Sequence, residues 1–131
     1  MKTFTALALS LALGTTLAAA AVQQVSAQPG RCFRMSQMHG WKPLPDASGM
    51  YFRVGLRDVW VAHFSGSCPM IRRPGVHLVN KVSSDSICSP IEFDVRVGDN
   101  IPGFAPIPCI VSEYHQLSPA EAAALPPKLR P

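Results

Sequence analysis

The sequence has few charged residues, and it lacks several motifs by which small proteins bind metals or catalyse reactions. Charged residues make up 15% of its 131 residues and aromatic residues 8%. No two cysteines are spaced as CxxC, which argues against a thioredoxin-like redox site and a zinc ribbon. The lack of CxxCH argues against covalently bound haem, and the lack of GxSxG argues against a serine hydrolase elbow.

Basic residues are in mild excess but are not gathered into a stripe. The formal net charge is +4, and the basic pairs Arg72–Arg73 and Lys128–Arg130 have no interleaved aromatic residues. Nucleic-acid binding requires a clustered basic footprint. We therefore expect no nucleic-acid partner.

The first residues have the layout of a cleaved secretory signal peptide. Lys2 precedes an apolar run from Ala6 to Leu13, and Val25–Ala27 supplies small residues at a cleavage site. Gly14 and two threonines interrupt the run, which favours a signal peptide over a membrane-spanning helix. Ala20–Ala21 offers an alternative cleavage site.

These features predict an exported chain with one domain. We expect a signal peptide over residues 1–27 and a single small β domain over residues 28–131, with its core at about 31–125. The mature protein should lie in the periplasm or be secreted, without a transmembrane segment and as a monomer. Because Pro29, Gly30 and Arg31 precede Cys32, a lipid anchor is not expected.

Four cysteines follow the predicted signal peptide. An even number in a small exported domain predicts two disulfides. Of the three pairings that four cysteines allow, we expect Cys68–Cys88, which would enclose a strand, and Cys32–Cys109, which would join the first strand to the last. The alternative is that Cys88 is a nucleophile served by one of the four histidines.

Short alternating segments separated by proline and glycine predict an all-β, mainly antiparallel domain, built as a small sandwich or open barrel. Ile91, Phe93, Val95 and Val97 alternate with polar residues and should share one buried face. The expected strands, about six, lie in Cys32–Met38, the hairpin Met50–Phe64, Gly75–Val82, Ile91–Val97 and Pro108–Tyr114. Prolines at 102, 106 and 108 indicate a loop or an edge segment.

A short helix is expected near the C-terminus. Ser118 can cap it, Pro119 fits its first position, and Glu121 can complete a capping box. Pro126 and Pro127 should end it. The full fold prediction is therefore a disulfide-stapled β domain with a short C-terminal helix.

One candidate binding patch consists of Trp41, Lys42 and Tyr51. Trp41 falls in a predicted loop rich in glycine and proline, where an aromatic ring can serve recognition. The alternative is that Trp41 covers one end of the core.

Two chemical alternatives remain open. Met35, Met38 and His39 lie within five residues, and thioether and imidazole ligands suit copper in an exported protein, although methionine is also a common core residue. Glu92 and Asp94 share a strand face, where they could act as a carboxylate pair or simply be solvated. Apart from this copper alternative, we expect no metal, no cofactor and no catalytic residue.

Four segments with the cysteines in this order resemble a family of small exported bacterial proteins whose conserved region is a domain of unknown function. The segments are RCFRMSQM, YFRVGLRDVWVAHFSGSCP, SSDSICSPIEFDVRV and CIVSEYHQLSPAEAAALP, and they cover about Arg31–Leu125. The resemblance implies export, one domain and structural cysteines, and it brings no catalytic residues.

The sequence thus predicts a non-enzymatic envelope protein, a disulfide-stabilised module that binds an envelope protein or a cell-wall component. A periplasmic copper-handling protein or a small hydrolase is the alternative.

Overall fold

The computed structural model of the protein describes residues 31–81 and 83–131. The predicted signal peptide, residues 1–27, lies outside the described residues, and so does Val82 at the end of one predicted strand. Within the described ranges, no helix is both long enough and apolar enough to cross a membrane.

Antiparallel strands dominate the described residues, which confirms the all-β prediction. One sheet holds six strands in the order β2-β3-β4-β8-β7-β5 and curls into a half-barrel, while β1 pairs with β6. The strands are β1 (Phe33–Arg34), β2 (Met38–Pro43), β3 (Gly49–Val54), β4 (Asp58–Phe64), β5 (His77–Asn80), β6 (Ser86–Ile87), β7 (Asp94–Gly98) and β8 (Ile107–Gln116). One α-helix, α1 (Pro119–Ala124), and the 3-10 helices Met35–Gln37, Pro69–Arg72, Pro90–Glu92 and Pro127–Leu129 complete the described elements.

The predicted hairpin of Met50–Phe64 is present as β3 and β4. Met50, Phe52 and Val54 are buried on the inner face of the sheet, as their alternation predicts. Phe52 lies opposite Trp60 in the ladder. Gly55 adopts a φ of 62° at the turn, a conformation that glycine reaches without a steric penalty.

An aromatic cluster fills the half-barrel, and Phe33 of the small β1–β6 pair stands at its centre. Its ring centroid lies 5.2 Å from that of Phe52, 5.4 Å from Trp60 and 5.1 Å from Phe93. The Tyr114 ring meets it edge-on at 5.4 Å, a geometry that aromatic pairs favour. The β1–β6 pair therefore contributes the residue around which the core of the larger sheet packs.

The predicted first strand, Cys32–Met38, is instead a short strand, a 3-10 turn and the start of β2. Asp85 explains the break: its main-chain oxygen accepts the Met35 N–H at 2.8 Å, and its carboxylate accepts the Ser36 N–H at 2.7 Å. These bonds hold the chain in a turn where a continuous strand was expected. The strand resumes as β2, so Trp41 lies in a strand and the loop prediction for it is wrong.

The predicted strand Ile91–Val97 begins later than its alternation suggests. Pro90–Glu92 is a 3-10 turn closed by a capping box between Ser89 and Glu92. Ile91 is consequently 91% exposed and does not share the buried face with Val95. The strand starts at Asp94 because the local capping bonds satisfy the preceding backbone first.

The disulfides pair Cys32 with Cys88 and Cys68 with Cys109, so the predicted pairing Cys68–Cys88 and Cys32–Cys109 is wrong. The two-disulfide prediction itself is confirmed. β1 pairs with β6, which brings the neighbouring Cys32 and Cys88 together. β4 pairs with β8, so the segment after β4 carries Cys68 to Cys109. The error arose because the predicted pairing assumed that the first and last strands were neighbours.

The C-terminal helix begins at the capping box that the sequence predicts. The Ser118 hydroxyl accepts the Glu121 N–H at 3.2 Å, and the Glu121 carboxylate accepts the Ser118 N–H at 2.7 Å. The helix ends at Ala124, just before the two prolines. Local sequence signals are therefore sufficient to place this element.

Residues 117–131, which we name the C-terminal strap, run over the outer face of the sheet from β8 to β2. The Leu117 N–H donates to a carbonyl oxygen of β4 at 2.8 Å. The carbonyl carbon of Pro131 lies 3.5 Å from the position that a Cβ would take on Gly40 in β2. Val61 points to this outer face yet is only 3% exposed. We attribute its burial to the strap.

Candidate functional site

The three residues of the predicted aromatic patch lie on two different faces of the sheet. Trp41 is paired with Phe52 in the β2–β3 ladder and packs against the core. Lys42 is paired with Tyr51, and both point to the outer face. The position of Trp41 agrees with the alternative interpretation, in which its ring covers one end of the core. The three side chains do not form one recognition patch.

The proposed copper ligands are likewise divided. Met35 and Met38 pack against the core, while His39 is exposed and lies opposite Arg53. The described part of the chain contains no group of three or more His, Cys, Asp or Glu side chains arranged to hold a metal ion. Because Met35 and Met38 pack against the core, they act as core residues here, as thioether side chains commonly do.

The segment around Cys88 is structural. Cys88 is bonded to Cys32, and no free cysteine occurs in the described ranges. The Glu92 carboxylate accepts the N–H groups of Cys88 at 2.7 Å and of Ser89 at 2.9 Å. These bonds lower the pKa of Glu92, since they favour its charged form. Glu92 thus holds the turn that carries the disulfide.

Asp94, the second carboxylate of the candidate pair, is engaged in an ion pair. Asp94 lies 3.0 Å from the Arg96 guanidinium, two residues further along β7. A half-exposed ion pair of this kind contributes little to stability. Nothing in this geometry directs Asp94 and Glu92 toward a common reacting atom.

The connection between β7 and β8, which the prolines predict as a loop or an edge segment, is the most distinctive exposed surface. Residues 101–107, which we name the apolar loop, read Ile-Pro-Gly-Phe-Ala-Pro-Ile and contain no polar side chain; the last of them, Ile107, is also the first residue of β8. Ile101 is 54% exposed and Ile107 37% exposed, and Phe104 is half-buried. A contiguous exposed apolar segment is typical of an interaction site. The unbroken apolar run was the signal that could have identified it.

A hydrogen-bonded turn closes the tip of the apolar loop. The Phe104 N–H donates to the Ile101 carbonyl oxygen at 3.1 Å, which closes a β-turn. Gly103 takes a φ of 82° in this turn, where a side chain would be strained. The prolines at 102 and 106 restrict the backbone further.

The entrance to the apolar loop is tied to the neighbouring β5 side of the fold. The Asn100 side-chain amide donates to the Gly75 carbonyl oxygen at 3.1 Å. The Asp99 carboxylate accepts the Asn100 N–H at 2.8 Å and lies 3.5 Å from the Arg73 guanidinium. The loop therefore leaves the sheet from an anchored base, with the basic charge of Arg73 paired.

The other strongly exposed apolar side chains stand alone. Leu56 lies at the tip of the β3–β4 turn and is 93% exposed. Ile91 lies in the 3-10 turn, and Ile110 on the outer face of β8 between two inward-pointing neighbours. Isolated exposed apolar residues are common on protein surfaces, so these three do not mark a site.

Comparisons of this chain with known protein families, with curated proteins and with solved structures find no match. The interpretation of the site therefore rests on its geometry.

Proposed function

We propose that this protein is an exported, non-enzymatic binding module that recognises an envelope protein through the apolar loop. The observation that carries the proposal is the run of seven residues without a polar side chain, exposed at 101–107. The two disulfides support an oxidising compartment, in agreement with the signal peptide that the sequence predicts.

The chemistry of the apolar loop favours a protein partner over a cell-wall polymer. Isoleucine, phenylalanine and proline side chains gain free energy by leaving water, and a polysaccharide offers few apolar pockets in which to bury them. The turn and the prolines fix the loop before binding. Association therefore loses little conformational entropy, which favours affinity.

The charge at the base of the loop favours a protein partner over a lipid surface. Membrane-binding segments usually combine apolar residues with free basic residues. Here Arg73 is paired with Asp99, so its charge is partly neutralised.

The proposal is tested by affinity capture from an envelope extract with three forms of the mature protein. The forms are the wild type, Ile101→Ser/Ile107→Ser and the control Leu56→Ser, which removes an even more exposed leucine outside the loop. Circular dichroism and intact disulfides establish that each form is folded. We expect one discrete protein to be retained by the wild type and by the control but not by the loop variant.

A second arm uses protein-free vesicles with anionic lipids. Equal retention of the same protein by all three forms would show that the loop is not the binding surface. Loop-dependent binding to the vesicles, without a captured protein, would replace the protein partner with a membrane.

A further inference from the structure

Two histidines from distant parts of the sequence meet on the outer face of the sheet. His63 lies in β4 and His115 in the adjacent β8. His63 is paired across the ladder with Glu113, two residues before His115, so all three side chains share one face. Both imidazole rings are half-buried, and their centroids lie 6.3 Å apart.

The separation of the two rings is compatible with a shared metal ion. A metal–nitrogen distance of about 2.0–2.1 Å places two imidazoles on one ion with their centroids roughly 4.5–6.4 Å apart, depending on the N–metal–N angle. The observed 6.3 Å lies at the wide end of this range. This distance corresponds to a nearly linear N–metal–N arrangement, with the ion between the two rings.

One carboxylate beside the two rings favours a bound cation. Glu113 is the ladder partner of His63. Glu113 has no ion-pair partner in the described part of the chain. Its negative charge beside His63 attracts a cation, while the two imidazoles are the protein ligands, since the described residues contain no three-ligand group.

We infer that His63 and His115 together bind one divalent transition-metal ion, with Cu²⁺ bound most tightly. Imidazole is the most common metal ligand in proteins, and sites with nitrogen and oxygen donors prefer Cu²⁺ over the neighbouring divalent metals. Water completes the coordination. The site lies on the opposite face of the sheet from Met35 and Met38, and it does not depend on the apolar loop.

The chain offers two matched controls for this site. His39 is exposed on β2, where its ladder partner is an arginine. His77 lies on β5 with its ring against Gly98. Neither forms a close ring pair with another histidine in the described residues, so each tests the effect of losing one imidazole away from the site.

The test is a Cu²⁺ titration of the mature, disulfide-bonded protein, followed by calorimetry and electron paramagnetic resonance. We expect one equivalent of Cu²⁺ with hyperfine splitting from two nitrogen ligands. His63→Asn and His115→Asn should each weaken binding more than the roughly 10- to 100-fold that loss of a second-shell group produces. His39→Asn and His77→Asn should bind as the wild type does, and Glu113→Gln should bind more weakly than the wild type.

Three outcomes would overturn the inference. The first is a wild type that binds no stoichiometric Cu²⁺ at micromolar concentration. The second is a His63→Asn/His115→Asn double variant that retains wild-type affinity, which would place the metal elsewhere, for example at the N-terminal amine. The third is an equal loss of affinity in the His39→Asn or His77→Asn controls.

Discussion

The two disulfides differ in burial, and replacing each with a pair of alanines should separate the effect of loop closure from the effect of core packing. Cys68 and Cys109 are 6% and 3% exposed, whereas Cys32 and Cys88 are both exposed. Double replacement is used because a single one would leave a reactive thiol. We expect Cys68→Ala/Cys109→Ala to lower the free energy of unfolding more than Cys32→Ala/Cys88→Ala.

Loop closure alone would predict nearly equal effects with the opposite order. The bridges span sequence separations of 56 and 41 residues. The corresponding loop-closure entropies stabilise the fold by about 4.2 kcal/mol for Cys32–Cys88 and about 3.9 kcal/mol for Cys68–Cys109. Removing two buried sulfur atoms adds roughly 0.5–1.5 kcal/mol each for lost packing. The expected losses are therefore about 4 kcal/mol for the exposed bridge and about 5–7 kcal/mol for the buried one.

The assay is urea unfolding of the oxidised proteins at neutral pH, followed by tryptophan fluorescence and circular dichroism. A small domain has a total stability of about 5–15 kcal/mol, so the Cys68→Ala/Cys109→Ala variant should unfold at a much lower urea concentration than the wild type, and without urea if the wild-type stability lies at the low end of that range. The Cys32→Ala/Cys88→Ala variant should still show a cooperative transition. Peptide mapping of the unreduced wild type should recover Cys32 linked to Cys88.

An exposed bridge that contributes as much stability as the buried one, or more, would contradict this expectation. That result would mean that the packing around Cys68 and Cys109 relaxes fully after replacement. A peptide linking Cys32 to Cys109 would refute the observed pairing itself and restore the pairing predicted from the sequence.

Three further predictions concern single residues. Gly49→Ala should destabilise the fold by several kcal/mol in thermal unfolding, because the new Cβ would lie 2.2 Å from a main-chain oxygen of β4. The control Gly66→Ala, whose Cβ meets nothing within 4 Å, should change the stability by less than about 1 kcal/mol. Tyr114→Phe should lower the free energy of unfolding by about 1 kcal/mol, since the Tyr114 hydroxyl donates to a β6 carbonyl oxygen at 3.1 Å. The control Tyr51→Phe on the outer face should have little effect, and equal effects of the two substitutions in urea unfolding would contradict the role of the Tyr114 hydrogen bond. Main-chain hydrogen bonds lower the pKa of Glu92 from 4.5, so the stabilisation by the Glu92 carboxylate should be complete above about pH 4.5 and disappear as the pH falls through the lower folded-state pKa. The difference in the free energy of unfolding between the wild type and Glu92→Gln should therefore shrink from pH 7 to pH 3. A difference that grew on acidification would contradict the role of Glu92 in holding the turn.

Much of the secondary structure follows from local sequence patterns. The alternation in Met50–Phe64 and the glycine at its turn are sufficient for the β3–β4 hairpin, because strand periodicity and turn geometry act over a few residues. The capping box at Ser118 places α1 for the same reason. The pattern failed at Ile91, where the bonds of Glu92 to the preceding main chain stop the strand from starting.

The candidate sites were harder to predict because they depend on which strands become neighbours. Trp41 and Lys42 are adjacent in sequence, but the strand places them on opposite faces, so the expected patch does not form. The exposure of Ile101 depends on how the β7–β8 connection leaves the sheet. The apolar composition of that loop was visible in the sequence, but its accessibility was not.

The sequence by itself determined the β character, the short C-terminal helix and the presence of two disulfides, because each follows from residue type and short-range spacing. Only the tertiary structure decided that Cys32 bonds to Cys88, that Phe33 anchors the core and that His63 lies beside His115. These contacts join residues far apart in the chain. Their geometry follows from strand order and register, which the curled sheet selects when its inner face closes around the aromatic core.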